Sequence, residues 1–295
     1  MEEYRAALHL APEKSEISYN LALILKETGD IEEALGLMFN AFLKEPENEI
    51  YAINIMETLS ALFENNAETT FKIAQNWQKL APDNLFSKRI LAAFCGHADE
   101  KDNVSFAEKL FDNFAETYDA TLERLHPNII NTFVKLNGPL KGNILDLGCG
   151  TGLAGVTLKN EENRFDGVDV SQQMLEIAKA KNVYDKLFHE DISSFLSHAK
   201  LNKYDMALAF DVFCYMGDLR AILLQLKGLP VWFSVESAEE DRADFYLTPS
   251  GRYKHKKSAL ICLLKDIGFK QIKDFDLVLR QENGKDVNGV LFFVK

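Results

Sequence analysis

Apolar residues change rhythm near position 100. Before it they recur every three or four positions, as in Leu21, Ala22 and Leu25 and then Ala34, Met38 and Ala41, the spacing of amphipathic helices. The segment 105–125 keeps that rhythm through Phe106, Leu110, Phe111, Phe114, Tyr118 and Leu122, and His126-Pro127 predicts its stop. From Gly142 onward short apolar runs (NILDLG, FDGVDV, KLFHED, MALAFDVF, PVWFSVE) alternate with helical stretches (SQQMLEIAKAK, ISSFLSHAK, DLRAILLQL, HKKSALICLLKDIG). Such alternation predicts an α/β fold with a doubly wound, largely parallel sheet. The last two runs, KQIKDFDLVL and GVLFFVK with ENGKDVNG between them, predict an antiparallel hairpin at the sheet edge.

The helical third carries a repeat. Pro12 and Pro46 each close an amphipathic segment, 34 residues apart, and Pro82 closes a third. The stretch EKSEISYNLALILKETGDIEEALGLMFNAFLKEP resembles one tetratricopeptide (TPR) repeat: small residues at Ala22, Ala34 and Ala41 let two helices approach, and Gly29-Asp30 marks the turn. Residues 47–82 read as a degenerate copy, with Ala74 and Trp77 exchanging the usual small and large positions, and YRAALHLAP as only the second helix of another. Repeats bury their apolar faces by stacking, and about three are needed for stability. LFSKRILAAFCG is therefore expected to cap the array, with GHADEKDN (96–103) as a polar linker. The expected division is 1–100 for TPR-like helices and 104–295 for the α/β domain, whose core runs over 141–295.

Charge follows that division. The net charge is −12; residues 1–100 hold 17 acidic and 8 basic side chains, a balance of −9, against 28 and 25 in the remainder, a balance of −3. Such a surface repels a phosphate backbone, so nucleic acid is not an expected partner. No apolar run reaches the roughly 20 residues of a membrane span, and the charged start MEEYRAALHLAPEK is unlike a signal peptide. A cytoplasmic protein is expected, with no membrane partner. The four cysteines form no CxxC pair, so reduced thiols and no metal site are expected. One basic cluster, Arg252, Lys254, Lys256 and Lys257 around His255, runs against the acidic trend and could attract an anionic substrate.

The chemistry concentrates in ILDLGCGTGLAG (144–155), where a strand ends in Asp146 and a glycine-rich turn opens a helix. Gly150, Gly152 and Gly155 spell GxGxxG, the dinucleotide pattern, so a nicotinamide cofactor is one reading. A carboxylate directly before the loop would crowd a pyrophosphate, whereas it suits a ligand with a cationic amino-acid end. The strand followed by DxGxGxG resembles the class I S-adenosylmethionine-dependent methyltransferases over roughly residues 104–295, and the likeness extends to bacterial members that carry N-terminal TPR units. That resemblance implies a Rossmann-like sheet, S-adenosylmethionine as cofactor, and residues 104–140 as lid helices. It implies cofactor-binding roles for Asp146, Gly148, Gly150 and Gly152 in the loop, and for Asp169 on the ribose hydroxyls. Met174 would lie against the adenine, and Asp191, with Ile192 beside it, would take the adenine amino group.

Around the methyl acceptor, which is unidentified, the candidates are Phe114, Asp211, Tyr215 and Tyr253. Tyr118, Glu236 and His255 are candidate catalytic groups, His255 because it titrates near neutral pH in what reads as a loop. Three functional classes follow: a methyltransferase whose TPR segment docks a protein partner, an inactive cofactor-binding adaptor, and a nicotinamide-dependent oxidoreductase.

Overall fold

The computed structural model describes every residue except 97, 126, 127, 283 and 284. The stop at His126-Pro127 and the Asn283-Gly284 part of the closing turn lie outside the described residues. The chain forms two compact units: residues 1–95 with 249–251, and residues 96–248 with 252–295.

The first unit is helical, with α1 (Glu2–Leu10), α2 (Ser15–Thr28), α3 (Ile31–Lys44), α4 (Glu49–Phe63), α5 (Ala67–Leu80) and α6 (Leu85–Cys95). The helices α1, α3 and α5 each end two residues before a proline, because that ring cannot continue the hydrogen-bond ladder. Their capping residues share one geometry: Ala11 (φ −138°, ψ 66°), Glu45 (−132°, 71°) and Ala81 (−133°, 71°). In each turn a backbone N–H reaches back three residues, from Lys14 to Ala11, Asn48 to Glu45 and Asn84 to Ala81. The turns before Pro12, Pro46 and Pro82, 34 and 36 residues apart, thus share one backbone shape. Ala22, Ala34 and Ala41 are fully buried, and Trp77, 1% exposed, meets Phe39 and Phe42 edge-on at 5.8 and 5.7 Å.

The second unit opens with α7 (Glu100–Leu125) and α8 (Ile129–Asn137), then alternates β1 (Gly142–Leu147), α9 (Leu153–Leu158), β2 (Asn163–Asp169), α10 (Gln172–Ala180), β3 (Lys186–His189), α11 (Ile192–His198), β4 (Met206–Ala209), α12 (Arg220–Gln225) and β5 (Val231–Ser237). It closes with β6 (Phe245–Leu247), β7 (Tyr253–His255), α13 (Lys257–Ile267), β8 (Ile272–Glu282) and β9 (Lys285–Val294). Strands β3, β2, β1, β4 and β5 lie side by side in that order, all parallel. β9 runs antiparallel to β5 and β8 antiparallel to β9, so the predicted Rossmann-like sheet and its closing hairpin are both present. One core buries Leu145, Val168, Ala207, Phe233 and Phe292 against the helices of one face; the other face packs Phe133, Phe165 and Trp232.

Two local expectations are corrected. Residues 100–103 of the supposed linker are the first turn of α7. Residues Tyr253–His255 are a strand, not a loop: β7 pairs with Glu236 and Ser237 of β5 and with β6. β9 already takes one edge of β5 as far as Glu236, so β7 uses the other edge, past Phe233, where β4 has ended.

Candidate functional site

Carboxylates cluster where the parallel strands end, as the crevice of an open α/β sheet requires. Asp146 lies at the end of β1, Asp169 ends β2, and Asp191 follows β3. A cavity beside these ends is lined by Gly148, Gly150, Asp169, Met174, Asp191 and Ile192. Its other wall comes from Phe111 and Tyr118 of α7 and from Asp211, Tyr215 and Met216 after β4. A neighbouring cavity shares Tyr118, Gly148, Gly150 and Asp211 and adds Asp146 and Cys149.

The glycines make room for different things. All three of Gly148, Gly150 and Gly152 have positive φ (70°, 52° and 89°), which disfavours any side chain. A Cβ on Gly148 would stand 2.4 Å from Val212 and one on Gly152 2.9 Å from Tyr184, so those two clear protein. A Cβ on Gly150 would meet only Tyr118, at 3.9 Å, and the backbones of Gly148 and Gly150 both line the cavity. Gly155, the last glycine of the dinucleotide pattern, is also filled by the Tyr184 ring, at 2.7 Å.

Asp169 accepts the Gly150 N–H at 2.7 Å on Oδ2 and the Ser171 N–H at 2.9 Å on Oδ1, which fixes its plane and leaves each oxygen a lone pair. Burial raises its pKa, and the hydrogen bonds from Ser171 and Gly150 oppose that rise. Asp146, 2% exposed, is pushed up to about 7 by burial; the Tyr184 hydroxyl, donating to its Oδ2 at 2.7 Å, pulls the other way. Asp191 has two duties, capping α11 through the Ser194 N–H at 3.0 Å while lining the cavity. Two latches hold α7 over the loop. Asp112 accepts from the Ser171 hydroxyl at 2.6 Å, and Asp119 accepts from the Thr151 hydroxyl and pairs with Lys181, both at 2.5 Å.

At the far wall Phe111 meets Tyr118 and Tyr215 edge-on, with centroids 6.0 and 5.0 Å apart. Burial raises the pKa of both tyrosines, so they stand as neutral hydroxyls. Asp211 sits at φ 53°, and its Oδ1 accepts from Arg280 of β8 at 2.8 Å. Arg280 also pairs with Glu236 at 2.5 Å and Glu282 at 2.6 Å, while Arg252 bridges Glu236 at 2.8 Å and Glu282 at 2.5 Å. Asp211, Cys214 and Glu236 place their ligand atoms within 4.8 Å of one another, but the Arg280 guanidinium already bonds both carboxylates.

Several candidates are not brought to the cavity. His255 is 1% exposed, its Nε2 bonded with the Gly217 carbonyl at 2.9 Å, and burial lowers its pKa to about 4, so it lacks both the access and the basicity expected of it. Glu236 is neutralised within the arginine cluster, and Tyr253 is buried against Phe245. Phe114 does not line the cavity, whereas Phe111 does. Each basic-cluster cation is paired, Arg252 as above, Lys254 with Glu239, Lys256 with Asp244 and Lys257 with Asp274, which removes the expected anion-attracting patch. Sequence reasoning missed Phe111 as a wall residue, Arg280, and Tyr184, whose partners are all distant in the chain.

Residues 145–229 match the family described as "Methyltransferase domain". A protein of Bacillus subtilis (strain 168) named "Putative methyltransferase YqeM" is 32% identical over 72 residues, 24% of this chain and 29% of that protein's length. Among solved structures, a Burkholderia thailandensis 1,6-didemethyltoxoflavin-N1-methyltransferase bound to S-adenosylhomocysteine is similar at 13% identity and a TM-score of 0.52, over 67% of this chain and 90% of that one. A Haemonchus contortus phosphoethanolamine N-methyltransferase 2 with S-adenosylhomocysteine gives 16% identity and 0.51, over 67% and 60%. The match to the methyltransferase domain covers residues 145–229 of the α/β unit, and the solved neighbours share its fold. The match to the curated relative spans under a third of that protein.

Proposed function

We propose that the protein transfers the methyl group of S-adenosylmethionine to an uncharged or amine acceptor, using the cavity between the glycine loop and α7. The observation that carries this is the run of carboxylates at the ends of β1, β2 and β3 around a glycine loop that lines the cavity. In this reading Asp169 accepts both ribose hydroxyls, Met174 and Ile192 hold the adenine, and Asp191 accepts its amino group. Asp146 faces the cofactor's ammonium end. The bound cofactor supplies an electrophilic methyl on a sulfonium, and the protein's work is to hold a nucleophile in line with it. Phe111, Tyr118 and Tyr215 exclude water and present neutral rings and hydroxyls to the acceptor. Asp211, held by Arg280, is the carboxylate placed to orient an N–H of the acceptor.

The acceptor class follows from the lining. Among the described residues, aromatic, apolar and carboxylate side chains and the Asn103 amide line the cavity, and no lysine or arginine does. A phosphate or carboxylate acceptor would meet like charge there. Both neighbours above are named for nitrogen acceptors, but at 13 and 16% identity they carry the fold alone. Incubation with methyl-labelled cofactor and a size-fractionated lysate tests the reading. Label in a base-stable product is the expected result; a base-labile methyl ester would show that the acceptor is a carboxylate. The helical unit, with its TPR-like repeat and its charge of −9 over residues 1–100, is proposed as a docking module for a protein partner with a basic surface.

A further inference from the structure

Three glycines of the loop region give way to a single side chain. A Cβ on Gly152, Gly155 or Gly167 would come within 2.9, 2.7 and 3.0 Å of the Tyr184 ring. The ring stands edge-on to Phe165 at 6.1 Å, and its hydroxyl accepts the Gly155 N–H at 3.3 Å while donating to Asp146 Oδ2 at 2.7 Å. A ring lodged where three residues have surrendered their side chains cannot shift without clash, so its hydroxyl is fixed in place. Asp146 is buried at the end of β1 and bears on the cavity beside the loop.

We propose that Tyr184 is a positioning residue for the cofactor site: its hydroxyl holds the Asp146 carboxylate ionised and aimed at the cationic end of the cofactor. The inference rests on the cofactor reading above. Among the described residues three titratable groups face Asp146, and of these only Tyr184 supports its charge. Asp169 opposes it by like charge, and Cys149 is a buried thiol whose own pKa is raised. Desolvation works against the carboxylate too, which leaves it near the middle of its titration at neutral pH. Only the ionised form attracts an ammonium group, so cofactor affinity falls as pH drops through about 7. Losing a hydrogen bond to a charged acceptor moves that titration upward by roughly one to two pH units.

The test is calorimetric titration of the full chain with S-adenosylhomocysteine between pH 6 and 8.5, for the wild type, Tyr184→Phe, Asp146→Asn and the double variant. The wild-type Kd should weaken roughly tenfold from pH 8 to 6. Tyr184→Phe, which keeps the ring, should bind roughly five- to fiftyfold more weakly at pH 7 and come within about fourfold of wild type at pH 8.5. Asp146→Asn should flatten the profile, and adding Tyr184→Phe to it should change little. A gap between wild type and Tyr184→Phe that stays constant across the range, or no gap at all, overturns the inference. Wild-type protein that binds no S-adenosylhomocysteine at any pH overturns the cofactor reading instead. Should Tyr184→Phe fail to fold, an Asp146→Asn profile that matches wild type from pH 6 to 8.5 is enough to refute the proposal.

Discussion

Replacing Arg280 by Met should be among the most damaging single changes in the α/β unit. Arg280 is 3% exposed and bonded to Asp211 at 2.8 Å, Glu236 at 2.5 Å and Glu282 at 2.6 Å. Burial alone would favour a neutral guanidinium, yet the carboxylates, Asp211 foremost, hold it charged with its pKa raised. Methionine matches much of its volume and none of its charge, so Glu236, itself 3% exposed, keeps only Arg252. Removing one partner of a buried ion pair costs about 3–5 kcal/mol, because an uncompensated charge remains. Asp211 and Glu282 are each 27% exposed and add less, since water can reach them. For a unit of this size each kcal/mol lowers Tm by about 2–4 °C, so the expected drop is about 6–20 °C. Urea denaturation at pH 7 measures the loss in free energy and thermal unfolding the drop in Tm. Glu236→Gln in the Arg280→Met background should restore part of the loss, because it removes the stranded charge. A loss below about 1 kcal/mol would place the cluster among solvated surface pairs and refute the reasoning.

Other expectations are narrower. Gly148→Ala and Gly152→Ala combine positive φ with contacts of 2.4 and 2.9 Å, so each should destabilise by more than Gly150→Ala, which meets nothing closer than 3.9 Å; chemical denaturation gives the order, and equal losses would contradict it. Asp112→Asn with Asp119→Asn weakens both latches of α7, and release of S-adenosylhomocysteine in a stopped-flow chase should quicken several-fold; an unchanged rate would show that α7 does not gate exit. Trp77→Ala should cost the helical unit about 3–5 kcal/mol, read from its unfolding transition. His255 has a folded pKa near 4, below its unfolded value of about 6.5, so the unfolded chain binds more protons between those values and stability falls as pH drops. The His255 contribution lost between pH 7 and 5 is about 2 kcal/mol, and it should vanish in His255→Gln.

What could be seen in the sequence depended on how local the physics is. The glycine loop and the acids ending β1 and β2 were legible because a strand, a positive-φ turn and a helix start leave a contiguous trace. Helical spacing also found α7, but could not say whether Phe111 or Phe114 faces the cavity, since three residues on a helix turn the side chain by only about 60° from its neighbour's direction. Polar composition suggested a linker over 96–103, yet a polar run can equally open a helix, as residues 100–103 do in α7. Arg280 and Tyr184 were invisible for a different reason. Apart from Glu282, two residues along β8 from Arg280, their hydrogen-bond partners lie 69, 44, 38 and 29 residues away, and only the fold brings them together. The same holds for Lys254 and Lys257, whose carboxylates sit on other segments, so that a run of free cations in the sequence is a set of ion pairs in the fold.

Binding of S-adenosylhomocysteine by the full chain, measured calorimetrically for wild type and Asp169→Ala with NADH as a parallel ligand, bears most directly on the cofactor site. The geometry of Asp169, its two oxygens fixed by Gly150 and Ser171 beside the cavity, calls for saturable one-site binding in the wild type. It calls for at least a tenfold loss in Asp169→Ala, because two charge-assisted hydrogen bonds disappear, and for no heat with NADH. Equal affinity in Asp169→Ala, or saturable binding of NADH, would contradict the assignment of the loop and its carboxylates to S-adenosylmethionine.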